Sequence, residues 1–155
     1  MVTPVQTKLE AVLDPSLVMF LHASSRDEAI DALVSLLQAN GHLPDREAFK
    51  RAILERELLI STGIGLGVAV PHAKLPCFDS FFIAIGIQQG QGIEWQSLDH
   101  QPVRLIFMIG GPDNQQTEYL QILSRLTTAI RNPEIRRQLL TVQDSAEILR
   151  LLSSQ

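Results

Sequence analysis

At 155 residues, with 45% apolar and 19% charged side chains, the chain can bury a core of its own and reads as one domain over residues 1–155. A net charge of −4 and a pI near 5.5 exclude the clustered cationic face of a nucleic-acid binder, so no nucleic acid is expected as a partner. The one cysteine, Cys77, excludes an internal disulfide and a multi-cysteine metal site. No apolar run approaches the ~20 residues that span a bilayer. The opening stretch MVTPVQTKLEAVLDPS lacks the basic-then-apolar pattern of an export signal. The expectation is a cytoplasmic chain with no direct membrane insertion.

In chain order, SLVMFLHA (16–23) has the short apolar run of a buried strand. A helix follows, with Ser25 and Glu28 spaced as a capping box, Ile30, Leu33 and Leu37 as its apolar stripe, and Gly41 as its stop. A second helix opens at Asp45, its N-cap, and turns Phe49, Ala52 and Ile53 inward. The texture then changes to strands: LGVAVP (66–71), FFIAIGIQ (81–88) and VRLIFMIG (103–110), with GIEW as a minor edge strand. Beyond Pro112, Tyr119, Leu123, Leu126 and Ile130 mark one face of a helix that ends before Asn132. Asn132 as N-cap and Pro133 at the first helical position open another, and a last helix runs from about Asp144. Grouped strands between grouped helices predict an α/β domain whose mixed sheet is covered on both faces.

Several chemistries drop out on context. GIGLG resembles the start of a dinucleotide fingerprint, but it follows a helix and opens a strand, the reverse of what that motif requires. There is no GxxxxGK[ST], and Ser61 lies in LISTG rather than in a GxSxG elbow. His22, His42, His72 and His100 show no short ligand spacing, so neither a metal nor a cofactor is expected. What remains is His72, at or just past a strand end and fixed from behind by Pro71. Ser61 and Thr62 offer hydroxyls, and Gly63, Gly65 and Gly67 let backbone N–H groups converge on an anion. Arg56, near a helix end, has the planar fork that suits phosphate. These parts suffice to take up a phosphoryl group, a reaction governed mostly by positioning and charge neutralisation. The competing reading makes His72 a solvated strand-end residue, and Arg56 and Glu57 ordinary exposed helix charges.

The string RExxxSTGIGxGVAVPHAK, from Arg56 and Glu57 through Ser61–Gly65 and Gly67 to His72 and Lys74, resembles the active-site signature of enzyme IIA domains. These belong to the fructose/mannitol class of the bacterial phosphoenolpyruvate-dependent sugar phosphotransferase system, and the wording is most similar to the nitrogen-regulatory branch. The resemblance extends to SSRDEAIDAL, SLDHQPVRLIF and QDSAEILRLL. It implies a mixed sheet of about five strands between helices. It also implies that His72 accepts a phosphoryl group from an HPr-like carrier, with Arg56 as phosphate clamp and Ser61 and Thr62 bordering the site. Onward, it implies donation to a IIB domain or regulated binding to a kinase or transporter. An unphosphorylated regulatory domain of the same fold is the alternative.

The family commonly carries a second histidine at the start of the helix after the last core strand. Here NQQTEYLQIL places Tyr119, or Glu118 if the register slips, at that position. Tyr119 is then either a core residue or a hydroxyl partner in place of the imidazole. Lys74 can steer phosphate or stand solvated, Cys77 reads as unreactive packing, and Trp95 as a packed ring. Phe78, Phe81 and Phe82 read as strand core or docking patch, and His100 as a turn residue.

Overall fold

In the computed structural model, residues 9–153 are described. The readings of residues 1–8 and of the last two positions lie outside them. Two 3-10 turns lead into β1 (Val18–Leu21), followed by α1 (Arg26–Ala39) and α2 (Arg46–Leu59). Then come β2 (Gly63–Gly65), β3 (Val68–Ala69), β4 (His72–Lys74), β5 (Phe82–Gln88) and β6 (Leu105–Gly111). The chain closes with α3 (Gln116–Arg131), α4 (Pro133–Thr141) and α5 (Ser145–Ser153). No described helix is long and apolar enough to cross a membrane.

The helix starts follow from local chemistry. The Ser25 hydroxyl accepts from Glu28 N at 3.1 Å, the Asp45 carboxylate from Ala48 N at 3.1 Å, and Asn132 from Glu134 N at 2.9 Å. Each satisfies an N–H that the first helical turn leaves without a carbonyl.

The sheet runs β1-β5-β6-β3-β2, with β4 also on β6. β1 lies parallel to β5, β5 antiparallel to β6, and β3 and β4 both parallel to β6. Every residue of β5 and β6 is buried, so both faces of the central pair are covered. Ile83, Ile85 and Ile87 join Leu105, Phe107 and Ile109 under Ile122, Leu126 and Ile130 of α3. On the other face Phe82, Ala84, Ile106 and Met108 meet Ile30, Leu33, Phe49 and Ile53 of α1 and α2. Each such side chain contributes ~1.5–3 kcal/mol by leaving water.

Six strands stand where about five were expected: Gly63–Gly65, read as loop, pairs with β3 as β2, and the one strand expected over 66–71 is split in two. The expected strand 66–71 breaks at Val70-Pro71 and resumes as β4 in the same register on β6, with Val68 opposite Leu105 and His72 opposite Ile109. Pro71 has no N–H for the ladder, and Val70 N turns aside to Thr62 O at 3.0 Å. His72 therefore opens a resumed strand rather than trailing a finished one. GIEW contributes only the single bridge Ile93–Val103. Cys77, expected to pack, is exposed: in the turn after β4 the neighbouring Phe78 takes the buried position. Phe78, Phe81 and Phe82 are all core, so none forms a docking patch. Trp95 packs as expected, and His100 sits in a turn with φ 61°.

Candidate functional site

His72 and Lys74 alternate with buried Ala73 along β4, so their side chains leave the strand on the same side. The His72 Nδ1 lies 3.0 Å from Val70 O, at the break in the strand. A carbonyl can only accept, so Nδ1 carries the proton and the neutral ring presents its lone pair at Nε2. Burial lowers the His72 pKa below its ordinary 6.5, opposed by the Val70 hydrogen bond and Glu57 and reinforced by the charges of Arg56 and Lys74. The imidazole is thus kept neutral and nucleophilic. NMR titration of the ring is expected to give a midpoint below 6.5, moving upward in Arg56→Ala; a wild-type midpoint at or above 6.5 contradicts this. Since the unfolded chain binds this proton more readily, the group costs stability increasingly as pH falls below that value.

Arg56 lies in the last turn of α2, where its Nη1 donates to Ile60 O at 3.0 Å. The bond ties the guanidinium to the helix end, where a cation also suits the dipole. Arg56 and His72 line two depressions at once. One, of about 180 Å³, is walled by Ser61, Thr62, Ile64, Val70, Tyr119, Leu123 and Thr127. The other, of about 350 Å³, is bounded by Ala52, Ala73 and Lys74.

Tyr119, not Glu118, faces the histidine. The two ring centroids are 5.6 Å apart, and Lys74 Nζ stands 4.3 Å over the phenol ring. Glu118 is half-buried and lines neither depression. Burial raises the Tyr119 pKa from 10.0, so its hydroxyl stays protonated across the neutral range. Tyr119 is a core residue on the α3 stripe, and its ring, rather than a hydroxyl hydrogen bond, is what meets the imidazole.

The glycines of the loop have packing and turn duties. Gly63, Gly65 and Gly67 line neither depression. Gly65 and Gly67, with φ of +97° and +75°, make the tight β2–β3 turn, and the Leu66 N–H in that turn already donates to Asp99 at 2.9 Å. A Cβ on Gly63 would lie 2.4 Å from Ser97 Oγ, so this glycine serves close packing. Ser61 and Thr62 do line the smaller depression, but their hydroxyls have internal duties. Ser61 Oγ donates to Trp95 O at 2.6 Å and accepts from Gly63 N at 3.0 Å.

One residue of the site escaped the sequence reading. Glu57, which reads as an exposed helix charge, is only 5% exposed. Its carboxylate accepts from Thr62 Oγ1, from Thr62 N at 3.2 Å and from Trp95 Nε1 at 3.3 Å. The helix end, the loop and the Trp95 segment are thereby clamped together beside Arg56. The available signal was only that Glu57 falls three to four residues after buried Ile53 on the α2 stripe. Glu57→Ala orphans Thr62 N and Thr62 Oγ1 at ~1–3 kcal/mol each, while Trp95 Nε1 keeps Thr62 Oγ1 at 3.2 Å, so a loss of roughly 3 kcal/mol is expected in denaturant unfolding. The fluorescence of Trp95, the one tryptophan, is expected to change with it. An unaltered unfolding midpoint excludes this clamp.

Among the described residues no cluster of three or more His, Cys, Asp or Glu could hold a metal ion. Residues 11–155 match the family described as "Phosphoenolpyruvate-dependent sugar phosphotransferase system, EIIA 2". The chain is 39% identical over 133 residues to the fructose-specific EIIABC component of Bacillus subtilis, covering 86% of this chain but only 21% of that longer protein. It is 35% identical over 127 residues to the fructose-specific EIIA component of Haloferax volcanii, covering 78% of this chain and 82% of that one. The crystal structure of nitrogen regulatory protein IIA-Ntr from Neisseria meningitidis superposes with a TM-score of 0.86 at 27% identity, over 93% of this chain and 98% of that one. The match of nearly the whole chain to one family, on a fold that it shares with a solved IIA-Ntr, places this protein in the EIIA 2 family of the phosphoenolpyruvate-dependent sugar phosphotransferase system.

Proposed function

We propose that this chain is a phosphocarrier in which His72 accepts a phosphoryl group from the phosphohistidine of an HPr-type protein. The observation that carries the reading is the held tautomer: Nδ1–H on Val70 O, lone pair at Nε2, beside the Arg56 guanidinium. In the transfer the donor's P–N bond breaks as a bond from phosphorus to Nε2 forms. His72 keeps its Nδ1 proton throughout, and the Val70 carbonyl stabilises the positive charge that grows on the ring. Arg56 neutralises charge on the equatorial oxygens. Ser61 and Thr62 border the site by shaping its wall.

Relatives named fructose-specific EIIA and nitrogen regulatory protein support two onward uses, donation to a IIB domain or control of a kinase or transporter by phosphorylation state. The mannitol IIA enzyme of Escherichia coli, which shares this fold, forms a complex with phosphorylated IIB. A relay driven by phosphoenolpyruvate places the protein in the cytoplasm, with protein partners only. Tyr119 favours a second reading, an unphosphorylated regulatory domain, because its buried phenol brings no titrating ring to the site.

Intact mass after incubation with phosphoenolpyruvate, enzyme I and an HPr-type carrier separates the two. The phosphocarrier gains one phosphoryl group, lost in mild acid and stable in base. No gain, with a carrier shown to be active on another IIA, leaves the regulatory domain.

A further inference from the structure

We propose that the phosphoryl group on His72 lodges in the open depression between α2 and β4, with Lys74 as its second cationic ligand beside Arg56. This rests on the phosphocarrier reading above and adds where the charge is held and by what.

Two depressions meet at His72, and their chemistry differs. In the smaller one the Ser61 and Thr62 hydroxyls donate to Trp95 O and to Glu57, and the remaining wall is largely apolar. The Glu57 carboxylate stands directly behind Thr62, and a dianion placed there would face a buried negative charge. Neither lining includes a carboxylate, and Arg56 lines both, but only the larger depression adds a second cation. Its lining is Arg56, His72 and Lys74 with the small side chains of Ala52 and Ala73. A phosphoryl group, with three strong acceptor oxygens and up to two negative charges, belongs where cations converge.

Lys74 is already positioned for this. It leaves β4 on the same side as His72, two residues on. Its Nζ donates to Gln116 Oε1 at 2.6 Å and stands 4.3 Å over the Tyr119 ring. The same ring lies 5.6 Å from the His72 ring, so Tyr119 supports nucleophile and cation together. An ammonium has three donors, and two remain after Gln116. A lysine tethered in this way loses little further freedom when the phosphoryl arrives, which makes its charge a preorganised one. It transfers no proton. Its charge also works in the free protein, where it helps to hold the His72 pKa down.

The test uses the phosphorylated full-length chain and 31P NMR, following the ionisation of the phosphohistidine that shifts its phosphorus resonance. Nearby cations favour the deprotonated form and pull this step to lower pH. Lys74→Met is expected to move it up by about 1 pH unit. The same variant is expected to slow uptake at saturating donor about tenfold with little change in KM, and Lys74→Arg to restore both. Ala52→Glu, measured against Ala52→Gln, puts an acid into the open depression without touching the ligands and should move the step up as well. Thr127→Glu against Thr127→Gln does the same for the smaller depression and should move it less. A Lys74→Met protein that titrates as wild type, or a larger response at Thr127 than at Ala52, overturns the proposal. The Ala52 and Thr127 pairs keep it falsifiable if Lys74→Met fails to fold. A wild type that takes no label removes the phosphocarrier reading itself, and this pocket with it; a labelled wild type with indifferent variants removes only the pocket.

Discussion

His72→Ala takes no acid-labile phosphoryl group under conditions in which wild type gains one. This is the largest expected effect, because a phosphocarrier offers a single acceptor atom and the variant deletes it. The mass difference between labelled and unlabelled chains reads the result directly. The three other histidines are poor substitutes: none lines either depression beside Arg56. His42 stacks on Phe82, with ring centroids 5.2 Å apart, and His100 occupies an exposed turn. The substitution also removes a ring that packs against Tyr119, so the variant's unfolding curve must accompany the assay. A folded His72→Ala protein that still acquires acid-labile phosphate moves the acceptor to another residue.

Arg56→Ala slows phosphoryl uptake by roughly two to three orders of magnitude, ~2.7–4 kcal/mol of lost transition-state stabilisation, the usual effect of deleting one preorganised charge stabiliser. Single-turnover transfer from the phosphorylated carrier is the measurement. Because Arg56 Nη1 also caps α2 through Ile60 O, the variant loses a helix-end bond worth ~1 kcal/mol, visible as a modest shift in unfolding midpoint. Arg56→Lys separates the two roles: it restores a charge without the planar fork, and intermediate uptake is expected. An Arg56→Ala protein that takes up phosphate at the wild-type rate ends the clamp assignment, whatever happens to stability.

The parts of this protein legible in the sequence are those set by interactions between near neighbours. Ser25, Asp45 and Asn132 cap the helices they were expected to cap, since a side chain two or three positions before an orphan N–H reaches it wherever the helix goes. Branched and aromatic content marked β5 and β6 as strands, and the grouping of strands between helices announced a sheet covered on both faces, which leaves every residue of that pair dry. The string around His72 carried the family resemblance and drew attention to Arg56. Other expectations needed the fold. Pro71 marked a stiff position, yet that the strand would resume beyond it depended on β6 offering the same register. The partner of the Leu66 amide in the glycine-rich turn is Asp99, 33 residues away, which no local pattern announces. Only its place on the α2 stripe, four residues after Ile53, sets the buried Glu57 apart from the exposed charges beside it, and its partners Thr62 and Trp95 needed the fold.

The sequence by itself determined the helix starts, the central strands, the α/β class and the histidine to suspect, because caps, periodicity and proline stiffness act within a few residues along the chain. Only the tertiary structure decided which groups surround that histidine. Glu57 meets Trp95 from 38 positions away, Lys74 meets Gln116 from 42, and Tyr119 meets His72 from 47. Such contacts depend on how the sheet stacks its elements, and burial and charge at the site depend on those contacts.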